Sequence, residues 1–157
     1  MSYSGSRRSF VTNALEACPG DVFAWYRPEP IGKRKFHLCL SYDYDFVFLN
    51  TPKDKFFPSD YHIKAVDLSF LKPTATRLSS VSCANLQAVG SDTQFRSFKP
   101  ERLGNLATDI LIEVLEHICN IGTATGEEIE RLSDIIDTMK PALFAQINSG
   151  RLRTARR

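Results

Sequence analysis

The chain holds little of what would fix a chemistry on sight. Its four cysteines (Cys18, Cys39, Cys83 and Cys119) stand far apart, with no CxxC pair and no Cys/His quartet at zinc spacing. A zinc ribbon and a dithiol redox centre are therefore excluded as sequence readings, and no metal is expected. No cofactor signature is present either, so none is expected. No apolar run is long enough to span a bilayer, and the start SYSGSRRSF is polar and basic, unlike a secretory leader. The expectation from these absences is a soluble, cytoplasmic protein with reduced thiols and no membrane partner. Net charge is also nearly missing, at +2. Basic character must then come from local clustering.

What is present supports a folded body. With 157 residues and 43% hydrophobic content, the chain can bury one real core, and its 24% of charged residues excludes a largely disordered protein. Residues 1–18 read as a Ser-rich extension with a brief apolar stretch. Short strands follow, separated by turn chemistry: Asp21 to Tyr26, Lys35 to Ser41, Phe46 to Asn50, an alternating run from Tyr61 to Leu68, and Ser79 to Cys83. Residues 84–99 read as loop with a last strand near Gln94 to Phe98. The period then changes. Leu103, Leu106, Ile110, Val114, Leu115, Ile118 and Ile121 recur at helical steps, and Gly122 is a stop. Thr125 and Glu128 form a capping box for a second helix. Pro141 breaks or kinks that helix, and a short third piece runs to Ile147, ending at Asn148 to Gly150.

Strands without βαβ alternation, closed by a helix, predict an α+β fold, and more sharply a small antiparallel SH3-like β-barrel with a packing helix. The expected layout is an extension at 1–18, a barrel plus long helix at 19–122, additional helices at 123–150 and a basic tail at 151–157.

The stretch from Pro19 to Ser41, PGDVFAWYRPEPIGKRKFHLCLS, gathers Arg27, Lys33, Arg34 and Lys35 around one hairpin loop. Such clustering points to an anionic partner, of which nucleic acid is the commonest. Lys35 and His37 lie two apart on one strand, so they share a face expected to point outward, opposite Phe36, Leu38 and Leu40. A histidine there either serves as a general acid or base, or is a half-buried strand residue satisfied by a backbone carbonyl. Asn50 and Thr51 end an apolar strand, either facing a barrel mouth or making turn chemistry with Pro52. Phe56, Phe57 and Tyr61 either stack bases or plug the barrel end. Trp25 and Tyr26 face opposite ways, one of them core. Arg151 and Arg153 belong to RLRTARR, which either tracks phosphates or is a solvated end.

PGDV, a basic loop and then GKRKFHLCLS resemble the opening of the MazF/PemK family of toxin endoribonucleases. FVFLNTP, HIKAVDL and SSVSCANLQAV continue the resemblance by order and spacing over about residues 19–122. It implies a barrel that binds single-stranded RNA and cuts it without metal, a homodimer, and an antitoxin partner. It also places the family's catalytic arginine on Lys35, the following proline on Phe36, and the family's threonine on Asn50 or Thr51. Lysine cannot make guanidinium's bidentate fork. Either Arg34 takes the role, or Lys35 and His37 do different chemistry, or the activity is gone. The alternative function is a catalytically inactive barrel serving as a nucleic-acid-binding or protein-interaction module.

Overall fold

The computed structural model describes residues 16–50, 60–71 and 80–155. Six strands form one antiparallel sheet: β1 (Asp21–Arg27), β2 (Lys33–Cys39), β3 (Asp45–Asn50), β4 (Tyr61–His62), β5 (Ser80–Ala88) and β6 (Glu101–Asn105). Their order across the sheet is β4-β5-β3-β2-β1-β6. Among the described residues three α-helices accompany them, α1 (Asp92–Ser97), α2 (Thr108–Asn120) and α3 (Gly126–Ala155), with a 3-10 turn at Ala65–Leu68. The class is α+β, as the sequence predicts.

Strand alternation divides the apolar residues between two faces, and both are covered. One face sends Val22, Leu38, Leu40, Val47 and Leu49 against Leu111, Leu115 and Ile118 of α2 and Leu132 and Ile136 of α3. The other sends Phe23, Trp25, Cys39 and Phe46 against Phe95 of α1. This second layer is aromatic: the Phe23 ring meets Phe95 edge-on at 5.1 Å, and Trp25 meets Phe46 at 5.2 Å. Such edge-to-face pairs add about 0.5–1.5 kcal/mol beyond area burial.

The sheet is not closed by hydrogen bonds between its edge strands β4 and β6. Side chains span the opening instead. Leaving β4, the chain buries Ile63, Leu68 and Leu71 in the α2 core, and the Phe70 ring lies on Gly104 of β6. A Cβ at Gly104 would stand 2.4 Å from that ring, so only glycine admits it. The expected strand from Tyr61 to Leu68 is thus two residues of ladder and a turn.

Three expectations change. The strand expected near Gln94 to Phe98 is instead the end of α1 and the residue after it, where Ser91 Oγ accepts from the Gln94 amide at 3.1 Å and Gln94 Oε1 accepts from the Gly90 amide at 3.0 Å. Leu103 lies in β6, and the helix starts at Thr108. Finally, α3 continues through Pro141 to Ala155, so the piece expected to end at Gly150 and the tail up to Ala155 are one helix. The apolar stripe explains its persistence: Leu132, Ile136, Met139 and Leu143 pack on the core across the proline. That packing offsets the one amide donor Pro141 lacks. The Thr125 capping box is present in both directions, Glu128 N to Thr125 Oγ1 at 3.2 Å and Thr125 N to Glu128 Oε1 at 2.8 Å.

Two buried carboxylates anchor the sheet. Asp45 is bound in bidentate fashion by Arg131 of α3, at 2.9 and 3.0 Å, and accepts from Ser41 Oγ at 2.7 Å. Asp21 accepts from Asn105 Nδ2 at 2.9 Å, from the Cys18 amide at 3.0 Å and from Arg102. Gly20 precedes it at φ 96°, a left-handed conformation that glycine adopts without strain.

Candidate nucleic-acid interface

The aromatic face of the sheet is buried toward one end and half-open at the other. Burial along β2 shows the gradient, from exposed Lys33 through half-buried Lys35 to buried His37 and Cys39. At the half-open end, alternation brings Arg27 of β1, Lys35 of β2, and Phe48 and Asn50 of β3 to one surface. Lys35 Nζ donates to Asn50 Oδ1 at 2.6 Å and stands 5.0 Å from the centre of the Phe48 ring. Arg27 places its guanidinium carbon 5.5 Å from the same ring, and its Nη2 donates to Gln87 Oε1 at 3.3 Å. Each cation–π contact is worth roughly 0.5–1 kcal/mol where partly solvated. They hold two positive charges near one ring. Two cations beside one ring are an arrangement that could grip a phosphate.

His37 lies one layer deeper. The sequence reading has it facing outward beside Lys35; it does share that face, but it is 0% exposed. Phe95 of α1 and Phe98 after it account for the difference, because they pack on the Trp25 and Phe46 rings that flank the imidazole. The imidazole stacks on Trp25 with ring centres 3.4 Å apart and planes 2° apart, and it touches the rings of Phe46 and Phe48. Burial, reinforced by the Arg27 charge, lowers its pKa to about 3. The ring is therefore neutral near pH 7 and sealed from solvent. A proton shuttle needs a group that titrates near the working pH and reaches substrate, so the shuttle role expected of His37 has no geometric basis.

The remaining expected residues divide. Lys33 is exposed on the same side as Lys35. Arg34 is on the opposite side of β2 and pairs with Glu101 of β6, so the four hairpin cations do not act at one place. Arg151 and Arg153 are in the last turns of α3, and their side chains lie outside the described residues. Thr51, Phe56 and Phe57 also lie outside them. Tyr61 is occupied with α2, donating its hydroxyl to Glu113 with its ring 5.5 Å from His117. Of the tandem aromatics, Trp25 is core and Tyr26 is 59% exposed.

Sequence reasoning overlooks Phe48 and Gln87. The alternation Phe46, Phe48, Asn50 is enough to place Phe48 beside Asn50. Nothing comparable exists for Gln87, whose position depends on the irregular pairing of β3 with β5 between Phe46 and Phe48.

No family model matches the chain, and no curated protein does. Among solved structures, the chain is similar to one in a crystal structure of MazE-MazF (form III) from Deinococcus radiodurans, at 17% identity and TM-score 0.51, covering 71% of this chain and 99% of that one. A form II structure of the same complex aligns at 18% identity and TM-score 0.46, over 68% and 96% of the two chains. The form III likeness shows a MazF-like fold. No described helix is long and apolar enough to cross a membrane.

Proposed function

We propose that this MazF-like fold serves as a metal-independent endoribonuclease on single-stranded RNA, with Lys35 and Arg27 holding the scissile phosphate. The observation that carries the reading is the 2.6 Å contact between Lys35 Nζ and Asn50 Oδ1. Lys35 is the position that the family resemblance assigns to the catalytic arginine, and Asn50 is one of the two, with Thr51, that it assigns to the threonine; Lys35 and Asn50 meet at the half-open end of the sheet. Asn50 Oδ1 would accept from the attacking 2′-hydroxyl and orient it. The 2′-oxygen bonds to phosphorus as the bond to the 5′-oxygen breaks, leaving a 2′,3′-cyclic phosphate and a 5′-hydroxyl. Lys35 stabilises the charge that develops on the phosphoryl oxygens and gives the leaving 5′-oxygen a proton, which it regains from solvent; solvent also takes the 2′-hydroxyl proton. The structures this fold resembles are MazE-MazF complexes, which supports an antitoxin-type protein partner, and the resemblance implies a homodimer.

A second reading has its own observation. His37 is buried and neutral, and a lysine stands where the family resemblance expects an arginine followed by proline. Both favour a catalytically silent barrel that binds RNA as a module.

Labelled oligoribonucleotides incubated with chelator separate the two. Cleavage that leaves a cyclic phosphate, fails on a 2′-deoxy strand and falls by about 10²- to 10⁴-fold in Lys35→Ala supports the enzyme. Binding without cleavage selects the silent module. Neither binding nor cleavage rejects both.

A further inference from the structure

Trp25, the chain's single tryptophan, sits beside the proposed phosphate site. It pairs directly with Lys35 across the β1–β2 ladder and shares a face with Arg27 two residues on. Directly opposed side chains in such a ladder are neighbours. The indole is 2% exposed because parallel rings cover it. His37 stacks at 3.4 Å, and Phe98 stacks at 5.7 Å with planes 12° apart. His37 makes ring contacts with Phe46 and Phe48 besides Trp25, whereas Phe98 contacts Trp25, which is consistent with an indole sandwiched between them.

The two covers are held differently. His37 belongs to the middle of β2 and is paired on both sides, with Phe23 and with Phe48, so it is part of the sheet. Phe98 is half-buried at the end of the six-residue helix α1, and its amide donates back into that helix, to Phe95 O at 3.2 Å. Lys99 follows at φ 51°, a left-handed conformation that costs a non-glycine residue free energy. The helix itself is fastened upstream of Phe98, by buried Phe95 and by the Tyr44 hydroxyl donating to Asp92 Oδ1 at 2.6 Å. Phe98 is therefore less firmly held on Trp25 than His37 is.

We infer that Trp25 is a base-stacking platform, and that Phe98 occupies in the free protein the place of a nucleobase. The inference rests on the RNA-binding reading above and adds a subsite to it. A flat apolar ring lying nearly parallel to an indole, next to two cations, reproduces the arrangement of a base and its phosphate on a single-strand binder. The incoming base displaces Phe98, and the strand's phosphate goes to Lys35 and Arg27. Affinity for RNA is thus held down by the protein's own side chain.

The single tryptophan makes this measurable in the full chain. Two oligomers of equal length and charge serve as probes, a labelled oligoadenylate and its abasic counterpart. Label anisotropy reads binding, and Trp25 emission reads stacking. Oligoadenylate is expected to change Trp25 emission at saturation while the abasic strand binds without doing so. Phe98→Ala is expected to tighten oligoadenylate about tenfold, a typical stacking contribution, and to leave the abasic strand unchanged. Oligoadenylate binding with silent Trp25 emission, or equal emission changes from both strands, overturns the platform while RNA binding stands. No anisotropy change with either strand removes the platform and the RNA-binding reading together. Should Phe98→Ala fail to fold, the comparison of the two strands on the wild-type chain decides alone.

Discussion

His37 illustrates how a residue's meaning depends on its cover. From the sequence it is a histidine two residues from a lysine on a strand, and the shared face is legible from alternation alone. What covers that face is not legible, because it comes from residues more than fifty positions downstream. The burial has a pH consequence. Its folded pKa is lowered to about 3, below the ordinary value of 6.5. Between those values the unfolded chain takes up a proton and the folded chain does not, so stability rises with pH across this window. The contribution is whole above about pH 6.5 and fades as pH falls toward 3. Urea denaturation of wild type against His37→Gln is expected to show an extra slope of about 1.4 kcal/mol per pH unit between roughly pH 6 and 4 in wild type only. Parallel pH profiles for the two proteins would show that the imidazole is solvated. Trp25 and Tyr26, by contrast, sort between core and solvent as the alternation predicts.

At the scale of elements, local patterns carry the central strands and the start of α3. β1, β2 and β3 follow from alternation and turn residues, and the Thr125 to Glu128 box marks the start of α3 where it occurs. The pieces that sequence patterns misplace are short or governed by packing. In α1 a single residue, Phe95, is buried, which leaves no period to detect, although Ser91 and Gln94 carry the capping signal. β6 merges with the following helix in the sequence pattern because Leu103 and Leu106 happen to extend its spacing. Pro141 has its usual local cost, and the packed stripe on both sides outweighs it. Two substitutions test this level. Gly104→Ala forces the Phe70 ring off β6 and is expected to cost about 1–3 kcal/mol in thermal or chemical denaturation, as overpacking does. Arg131→Met leaves the buried Asp45 carboxylate with Ser41 as its described side-chain partner. Complete burial of such a pair would predict a loss of ~3–5 kcal/mol, and the partial exposure of Arg131 reduces the expectation to about 2 kcal/mol. An unchanged unfolding midpoint would show that Asp45 is stable without the fork.

The whole molecule combines a sheet covered on both faces with a long helix whose last turns carry Arg151 and Arg153. The α+β class is legible from the change of period near residue 106, and Lys35 with Asn50 is legible through the family resemblance. Of the other members of the site, Phe48 follows from its alternation with Asn50, whereas Gln87 requires the irregular register of β3 on β5. Deleting residues 151–157 is expected to preserve the unfolding midpoint, since the described packing of α3 on the core, from Leu132 to Leu143, lies upstream of the cut. If those arginines bind RNA, the salt dependence of binding should flatten by about 0.7 in log–log slope for each phosphate the shortened chain no longer neutralises. An unchanged slope would show that residues 151–157 make no phosphate contacts. The circumference between β4 and β6 is completed by Phe70 resting on Gly104, with no ladder across it. Contacts of that kind part without breaking a row of backbone bonds, so amide protons of β6 and of residues 63–71 should exchange with solvent deuterium earlier than those of β1 to β3. The molecule breathes first along this seam, and the central hairpin keeps the slow clock of global unfolding.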